Sequence, residues 1–162
     1  MINFFSLTNK QPLKNRGFTV IEILVAIFII GLTLTSLFSL YGISLKTTTQ
    51  NKNKIAALNL ASENLEITRA IRDDNWNNIA SLTMGTNYHL NKNDSNKWIF
   101  IQGAETQKGF TRKVIIDNVS RDTNDNIVTS GGVNDLNTKK ITSITTWQDQ
   151  NITLTAYLTN WK

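Results

Sequence analysis

The stretch Lys14-Asn15-Arg16-Gly17-Phe18-Thr19-Val20-Ile21-Glu22-Ile23-Leu24, with the apolar run it opens through to Leu45, decides how this 162-residue chain is read. From Phe18 to Leu45 there are 28 residues without Lys, Arg or Asp; nineteen are apolar or aromatic, and Glu22 is the only charge. A helix of that length rises about 42 Å, enough to cross a hydrocarbon core of about 30 Å with some tilt. Thr33, Thr35, Ser36, Ser39 and Ser44 thin the apolarity of its outer half, and Gly31 and Gly42 are residue types that membrane helices tolerate. A secretory signal peptide has a shorter apolar core and a small-residue cleavage site after it; here the run is too long and no such exit follows. A plain membrane anchor accounts for length and apolarity but leaves Glu22 unexplained. A carboxylate inside a membrane helix is costly unless paired and marks function by default; the competing reading has Glu22 snorkelling at the interface.

Ahead of the run, residues 1–17 carry Lys10, Lys14 and Arg16 and no acid. A short basic leader, a glycine, then Phe-Thr-aliphatic-aliphatic-Glu opening an apolar helix closely resembles the N-terminal signal of type IV prepilins and pseudopilins, over roughly residues 14–45. The resemblance implies cleavage between Gly17 and Phe18 by a membrane-embedded prepilin peptidase, followed by N-methylation of the new Phe18 amine. It also implies that Glu22 attracts the Phe18 amine of a neighbouring subunit during assembly. Opposite charges in a low-dielectric helix bundle attract strongly, and neither is stable there alone. Glu22 is then a registration device and not a catalyst. Thr19 is read equally as a hydrogen-bonding helper and as a simple helix-opening residue. Three cations precede the span and three follow it (Lys46, Lys52, Lys54), so charge bias gives no orientation. A cytoplasmic N-terminus rests on the short leader and on the resemblance.

No proline follows Pro12, so nothing breaks the helix after Leu45, although Thr47-Thr48-Thr49-Gln50-Asn51 is weakly helical. Farther on, Ala57, Leu58, Leu60, Ala61, Leu65, Ile67 and Ile71 share one half of the circumference, and Asn59, Ser62, Glu63, Glu66 and Arg69 the other. Asp73-Asp74-Asn75 ends the helix near Trp76. A helix over about residues 18–74 measures roughly 85 Å, far more than a compact domain requires. No sustained heptad supports a coiled coil. The segment from Ala56 to Trp76 is similar to a pattern in minor-pilin-like prepilins, and Tyr157-Leu158-Thr159-Asn160-Trp161 to the end of some of them. For Arg72 and Trp76 the preferred reading is the plain one, a helix-end cap and a core aromatic.

Residues 77–162 read as turn-rich β structure. Ile152, Leu154, Ala156 and Leu158 alternate with Thr153, Thr155, Tyr157 and Thr159, a strand with one buried face. Lys139–Trp147 is a second strand, with a hairpin turn over Gln148–Asn151; Phe110–Val119 is a third, with Val114 and Ile116 inward. Trp98-Ile99-Phe100-Ile101 is a short strand, apolar on both faces and so expected to be buried. Thr86–Leu90 and Ile127–Thr129 are weaker candidates, and Ser120–Thr138, rich in Asn, Asp and Gly, reads as an exposed, mobile loop. The expected fold is α+β and pilin-like: an antiparallel sheet of four to five strands laid over the second half of the helix, burying Trp98, Phe100 and Trp147 and tying down the C-terminus at Trp161. The organisation follows: leader 1–17, transmembrane or filament-core helix 18–45, amphipathic helix 46–76 and β-rich head 77–162.

Composition excludes several chemistries. There is no cysteine, hence no disulfide, zinc-thiolate or thiol redox site, and one histidine, His89, which gives no triad or multi-histidine metal site. Gly131-Gly132 lacks the Lys-Ser/Thr of a phosphate loop. Asp122-x-Asn124-x-Asn126 copies the start of a calcium loop, but Ile127 and Val133 stand where Gly and Glu are required; only a looser calcium site in 120–138 survives. No catalytic residue, cofactor or metal is expected, and the chain is read as a substrate of enzymes and not as one. The net charge of +5 could signal nucleic acid, through Lys108, Arg112, Lys113, Lys139 and Lys140, but the leader alone supplies three of those five charges.

The expected role is therefore a structural subunit, a minor pilin or pseudopilin, of a pilus, a DNA-uptake filament or a type II secretion pseudopilus. Its expected partners are the prepilin peptidase/N-methyltransferase, other pilin subunits, an inner-membrane assembly platform and, before assembly, membrane lipid. It would sit in the bacterial cytoplasmic membrane with an extracytoplasmic head, then in a filament. The rival readings are an unprocessed membrane-anchored adhesin or sensor and a DNA-binding receptor at a filament tip.

Overall fold

The computed structural model describes residues 17–161; the basic leader residues Lys10, Lys14 and Arg16 lie outside the described residues. The chain divides into two compact units, one up to Lys46 and one from Thr47 onward, both served by the long helix α1 (Val20–Asp74).

In the first unit the apolar span of α1 is uncovered among the described residues. Its large apolar side chains from Phe18 to Leu45 are all exposed, and by length and composition it is a helix able to cross a membrane. Three of the hydroxyls that dilute the apolar run are satisfied within the helix. Thr33 Oγ1 donates to the carbonyl of Ile30 at 2.8 Å, and Thr35 Oγ1 and Ser36 Oγ both donate to that of Leu32 at 2.9 Å. Such back-bonding lets a Thr- and Ser-bearing helix enter hydrocarbon without unpaired donors.

In the second unit α1 buries Ala57, Ala61, Asn64, Leu65, Ile67, Thr68 and Ile71, a stripe at three- and four-residue spacing. The expected face is corrected at four residues. Leu58 is exposed, Leu60 is half-buried, and the polar Asn64 and Thr68 are buried. Both polar groups have bonds: Thr68 Oγ1 donates to the Asn64 carbonyl at 2.7 Å, and Asn64 Nδ2 to Ser143 Oγ at 3.2 Å. The helix ends at Asp74, and a four-residue helix that the sequence did not reveal, α2 (Asn77–Ala80), places Ile79 in the core.

Seven strands follow among the described residues, not four to five: β1 (Asn87–Lys92), β2 (Trp98–Gln102), β3 (Glu105–Gln107), β4 (Phe110–Arg121), β5 (Ile127–Val128), β6 (Val133–Trp147) and β7 (Gln150–Thr159). They form one antiparallel sheet in the order β2-β1-β4-β6-β7, with β3 and β5 also pairing on β4. Leu90, Val114, Ile116, Ile141 and Leu158 of its inner face close against Leu65, Ile67, Ile71 and Ile79, with Trp98, Phe100, Leu154 and Ala156 half-buried around them. Each fully buried aliphatic side chain stabilises the fold by about 1.5–3 kcal/mol. The result is an α+β, pilin-like arrangement with the second half of α1 on the sheet.

Two other expectations change. The Ser120–Thr138 loop shrinks, because β4 and β6 go on pairing beyond a bulge at Asn118/Val119: Val119 faces Asp135, Ser120 faces Asn134 and Arg121 faces Val133. An ion pair, Arg121 Nε to Asp135 Oδ2 at 2.7 Å, holds polar residues in the ladder there. Strand alternation turns only Trp98 and Phe100 of β2 inward, while Ile99 and Ile101, on the sheet's outer face, are exposed. The β6–β7 turn is tighter than expected, with Trp147 paired to Gln150 and Gln148 at a φ of 49°. Trp147 is buried, whereas Trp76 is half-buried and Trp161, beyond the end of β7, is exposed with Nε1 donating to Asp73 Oδ1 at 3.3 Å.

Candidate functional site

Gly17, Phe18 and Thr19 precede the first turn of α1 in non-helical backbone. Gly17 and Phe18 are exposed, Phe18 by 83%, and a Cβ placed on Gly17 would touch nothing. The peptide bond between them is therefore exposed, and packing among the described residues makes no demand for glycine at 17.

Thr19 and Glu22 are joined by three hydrogen bonds. Glu22 Oε2 accepts from the Thr19 backbone N–H and from Thr19 Oγ1, both at 3.1 Å, and the Glu22 backbone N–H donates to Thr19 Oγ1 at 3.3 Å. With the Ile23 N–H on the Thr19 carbonyl at 3.2 Å, Thr19 is the N-cap and Glu22 the third helical residue of a reciprocal capping box. The carboxylate also sits at the positive end of the helix dipole. Of the residues expected here, the structure brings Thr19 and Glu22 into contact and leaves Gly17 and Phe18 exposed just ahead of them. The pattern Thr19-x-x-Glu22 is the sequence signal for this box; the reading of Thr19 as a helix opener identified half of it.

A second concave region lies at the far end of the sheet, a cavity of about 560 Å³ lined among others by Arg121, Asp122, Asp125, Asp135 and Thr138. The Thr138 hydroxyl first, and then the Arg121 guanidinium, pull the Asp135 carboxyl down to about 2. Asp122 is also lowered, chiefly by the Asn126 backbone N–H, and Arg121 is raised by its bond to Asp135. The loop's oxygens serve the loop itself. Asp122 Oδ1 accepts from the N–H groups of Asn124 (2.8 Å) and Asn126 (2.9 Å), and Oδ2 from Asn126 Nδ2 (3.2 Å). Arg121 Nε lies 3.5 Å from Asp125 Oδ1, so a cation already occupies the calcium candidate's acidic side.

The five basic residues considered for nucleic acid are not brought together. Arg112 reaches inward to Glu105 (2.6 Å) and to Glu63 of α1 (3.4 Å). Lys139, also on the inner face, is buried and donates to Asn118 Oδ1 at 2.6 Å. Lys113 and Lys140 alternate onto the opposite face, and Lys108 sits in the β3–β4 turn. His89 is half-buried in β1.

A family model described as the prokaryotic N-terminal methylation motif matches residues 12–38. No curated protein and no solved structure matches the chain. The chain thus carries the prepilin-type N-terminal motif of type IV pilins and pseudopilins, and the capping box lies inside the matched segment.

Proposed function

We propose that this chain, as the bearer of a prepilin-type motif, is a structural subunit of a type IV pilus-like or type II secretion filament, a minor pilin or pseudopilin. In this reading it is inserted in the membrane by residues 18–45, cut between Gly17 and Phe18, N-methylated on Phe18 and packed by its helix into the filament core. Glu22 registers the incoming subunit by pairing with a neighbour's Phe18 amine, and Thr19 holds Glu22 in place. The peptidase/N-methyltransferase, other subunits and an assembly platform are its partners, and the head is extracytoplasmic.

The observation that carries the reading is the conjunction at one helix start: an exposed Gly17–Phe18 bond, then a capped carboxylate, then an uncovered apolar helix, all within the matched motif. Intact-mass analysis of the chain co-expressed with an active prepilin peptidase tests it. The expected product is the 145-residue chain beginning at N-methylated Phe18. A chain that keeps Met1 beside a control prepilin that is processed rejects the proposal.

A further inference from the structure

The chain holds three Asn-x-Ser/Thr triplets without proline at the middle position: Asn93-Asp94-Ser95, Asn118-Val119-Ser120 and Asn151-Ile152-Thr153. Such a triplet is the acceptor signal for an N-linked glycan. It must present two groups together, the carboxamide that takes the sugar and the hydroxyl two residues on. A chain rich in Asn and Thr produces such triplets by composition alone, so their surroundings in the fold have to separate them.

Two of the three are engaged. Asn118 Oδ1 accepts from Lys139 Nζ at 2.6 Å, and Lys139 is buried, so drawing this carboxamide away takes a partner from a buried ammonium. The middle residue Val119 is buried as well, and Ser120 is paired on both sides, to Asn134 and to Val128. Asn93 is exposed, but its Oδ1 accepts from the backbone N–H groups of Ser95 and Lys97, both at 3.0 Å, and so closes the β1–β2 turn.

The third is free. Residues two apart on a strand project from the same face. Along β7, Ile152, Leu154 and Ala156 are half-buried and Leu158 is buried, so Asn151 and Thr153 lie together on the opposite face, both exposed. Among the described residues neither side chain makes a hydrogen bond. The triplet starts one residue pair in from the β6–β7 turn, and β7 pairs with β6 alone. Widening that turn to take in the triplet parts Asn151 from Thr146, Ile152 from Thr145 and Thr153 from Ile144, and it uncovers only the half-buried Ile152.

We infer that Asn151 is the head's acceptor for an N-linked glycan, transferred from a lipid-pyrophosphate-linked oligosaccharide. Asn151 Nδ2 bonds to the anomeric carbon of the first sugar as the bond from that carbon to the pyrophosphate oxygen breaks. The electron pair leaves with the lipid pyrophosphate, and one Nδ2 proton passes to solvent. An amide nitrogen is a poor nucleophile because its lone pair is shared with the carbonyl, so the transferring enzyme must turn and hold the carboxamide. A carboxamide tied to nothing is the one that it can turn. The inference rests on the extracytoplasmic head of the proposed function and is independent of cleavage, methylation and Glu22.

The test expresses the full chain in bacterial cells supplied with an oligosaccharyltransferase and its lipid-linked oligosaccharide. A tag with an accepted Asn-x-Thr site, added after Lys162, serves as the control for delivery. Trypsin cuts after Lys92, Lys97, Lys113, Arg121 and Lys140, so the three triplets fall on separate peptides. Mass spectrometry should find Asn151 occupied at least tenfold more than Asn93 or Asn118. Thr153→Ala should abolish the modification and Thr153→Ser retain it, although both keep Asn151, and Asn151→Gln should return the peptide to its plain mass. A modified tag beside an unmodified Asn151 overturns the inference. So does equal occupancy at Asn93 or Asn118, or a glycan that survives Thr153→Ala. If tag and Asn151 both stay unmodified, the extracytoplasmic placement fails and the inference falls with it.

Discussion

Glu22→Gln separates the two jobs that the Glu22 carboxylate is asked to do. Within the chain, Oε2 accepts two hydrogen bonds from Thr19. A glutamine amide oxygen stands in the same place, and capping boxes accept Glu or Gln. Between chains, the proposed partner is a charged amine, and Gln has no charge to offer it. The magnitudes differ enough to decide. A helix cap is worth about 1 kcal/mol, roughly a fivefold effect. A unit charge pair at 4 Å with an effective dielectric of 20 is worth about 4 kcal/mol, close to a thousandfold. Glu22→Gln should therefore abolish incorporation into filaments nearly as completely as Glu22→Ala, while Thr19→Ala, which loses the cap and keeps the charge, should reduce it only severalfold. The assay is the ratio of subunit in sheared filaments to subunit in membranes, by immunoblot against the head, with intact mass to establish that each variant is cleaved alike. If Glu22→Gln assembles like the unaltered chain while Glu22→Ala does not, Glu22 acts as a helix cap and the pairing argument is refuted.

Ile141 is fully buried in the core between sheet and α1, so Ile141→Ala should cost about 2–5 kcal/mol in urea unfolding of the head; a loss under about 1 kcal/mol would contradict the assigned core. Gly132 has a φ of +81°, and a Cβ on it would lie 2.4 Å from the Arg121 carbonyl oxygen, whereas Gly131, at +72°, has open space. Both alanine variants bear the left-handed backbone cost of about 1–2 kcal/mol, so Gly132→Ala should melt clearly below Gly131→Ala, and equal melting temperatures would dispute the packing of β6 on β4. Asp135 is held at about 2 in the folded head, below its ordinary value near 4. Its contribution is therefore complete above about pH 4 and lost as pH falls through about 2, a drop that solvent screening limits to about 1 kcal/mol. Asp135→Asn should remove that part of the acid destabilisation; an unchanged difference between urea midpoints at pH 5 and pH 2 would refute it.

What the sequence makes legible is what local pattern determines. A run of 28 residues with one charge has few alternatives to a membrane helix, and the alternation from Ile152 to Leu158 has few alternatives to a strand with one covered face. What it hides is set by partners remote in the chain. Asn64 and Thr68 look like solvent-facing residues until Ser143, 79 positions after Asn64, supplies a hydrogen bond in the interior. Val133–Thr138 has loop composition and becomes strand because β4 continues opposite it and Arg121 meets Asp135. Ile99 and Ile101 are apolar enough to be buried, yet they lie on the sheet face away from the core residues Leu90 and Phe100, and that only one face is packed on by the helix is a fact of topology that no window of residues contains. At the candidate site the reverse holds: the box is wholly local, and Thr19-x-x-Glu22 spells it out.

That locality answers the difficulty posed by a carboxylate at the head of an apolar helix. A lone carboxylate there is costly, and a pairing partner on another subunit arrives only at assembly. Before then the Thr19 N–H, the Thr19 hydroxyl and the helix dipole already give Glu22 a polar setting within its own chain. Both bonds that the carboxylate accepts from Thr19 end on the same oxygen, Oε2. A neighbour's amine approaching Oε1 would then add to the cap and need not dismantle it. Thr19 holds the carboxylate by these bonds, and in the proposed filament role the charge of Glu22 would be what the next subunit reads. In that role the box would thus let one residue be tolerated in the waiting monomer and used in the filament, with the cap a modest aid and the charge the larger part of registration.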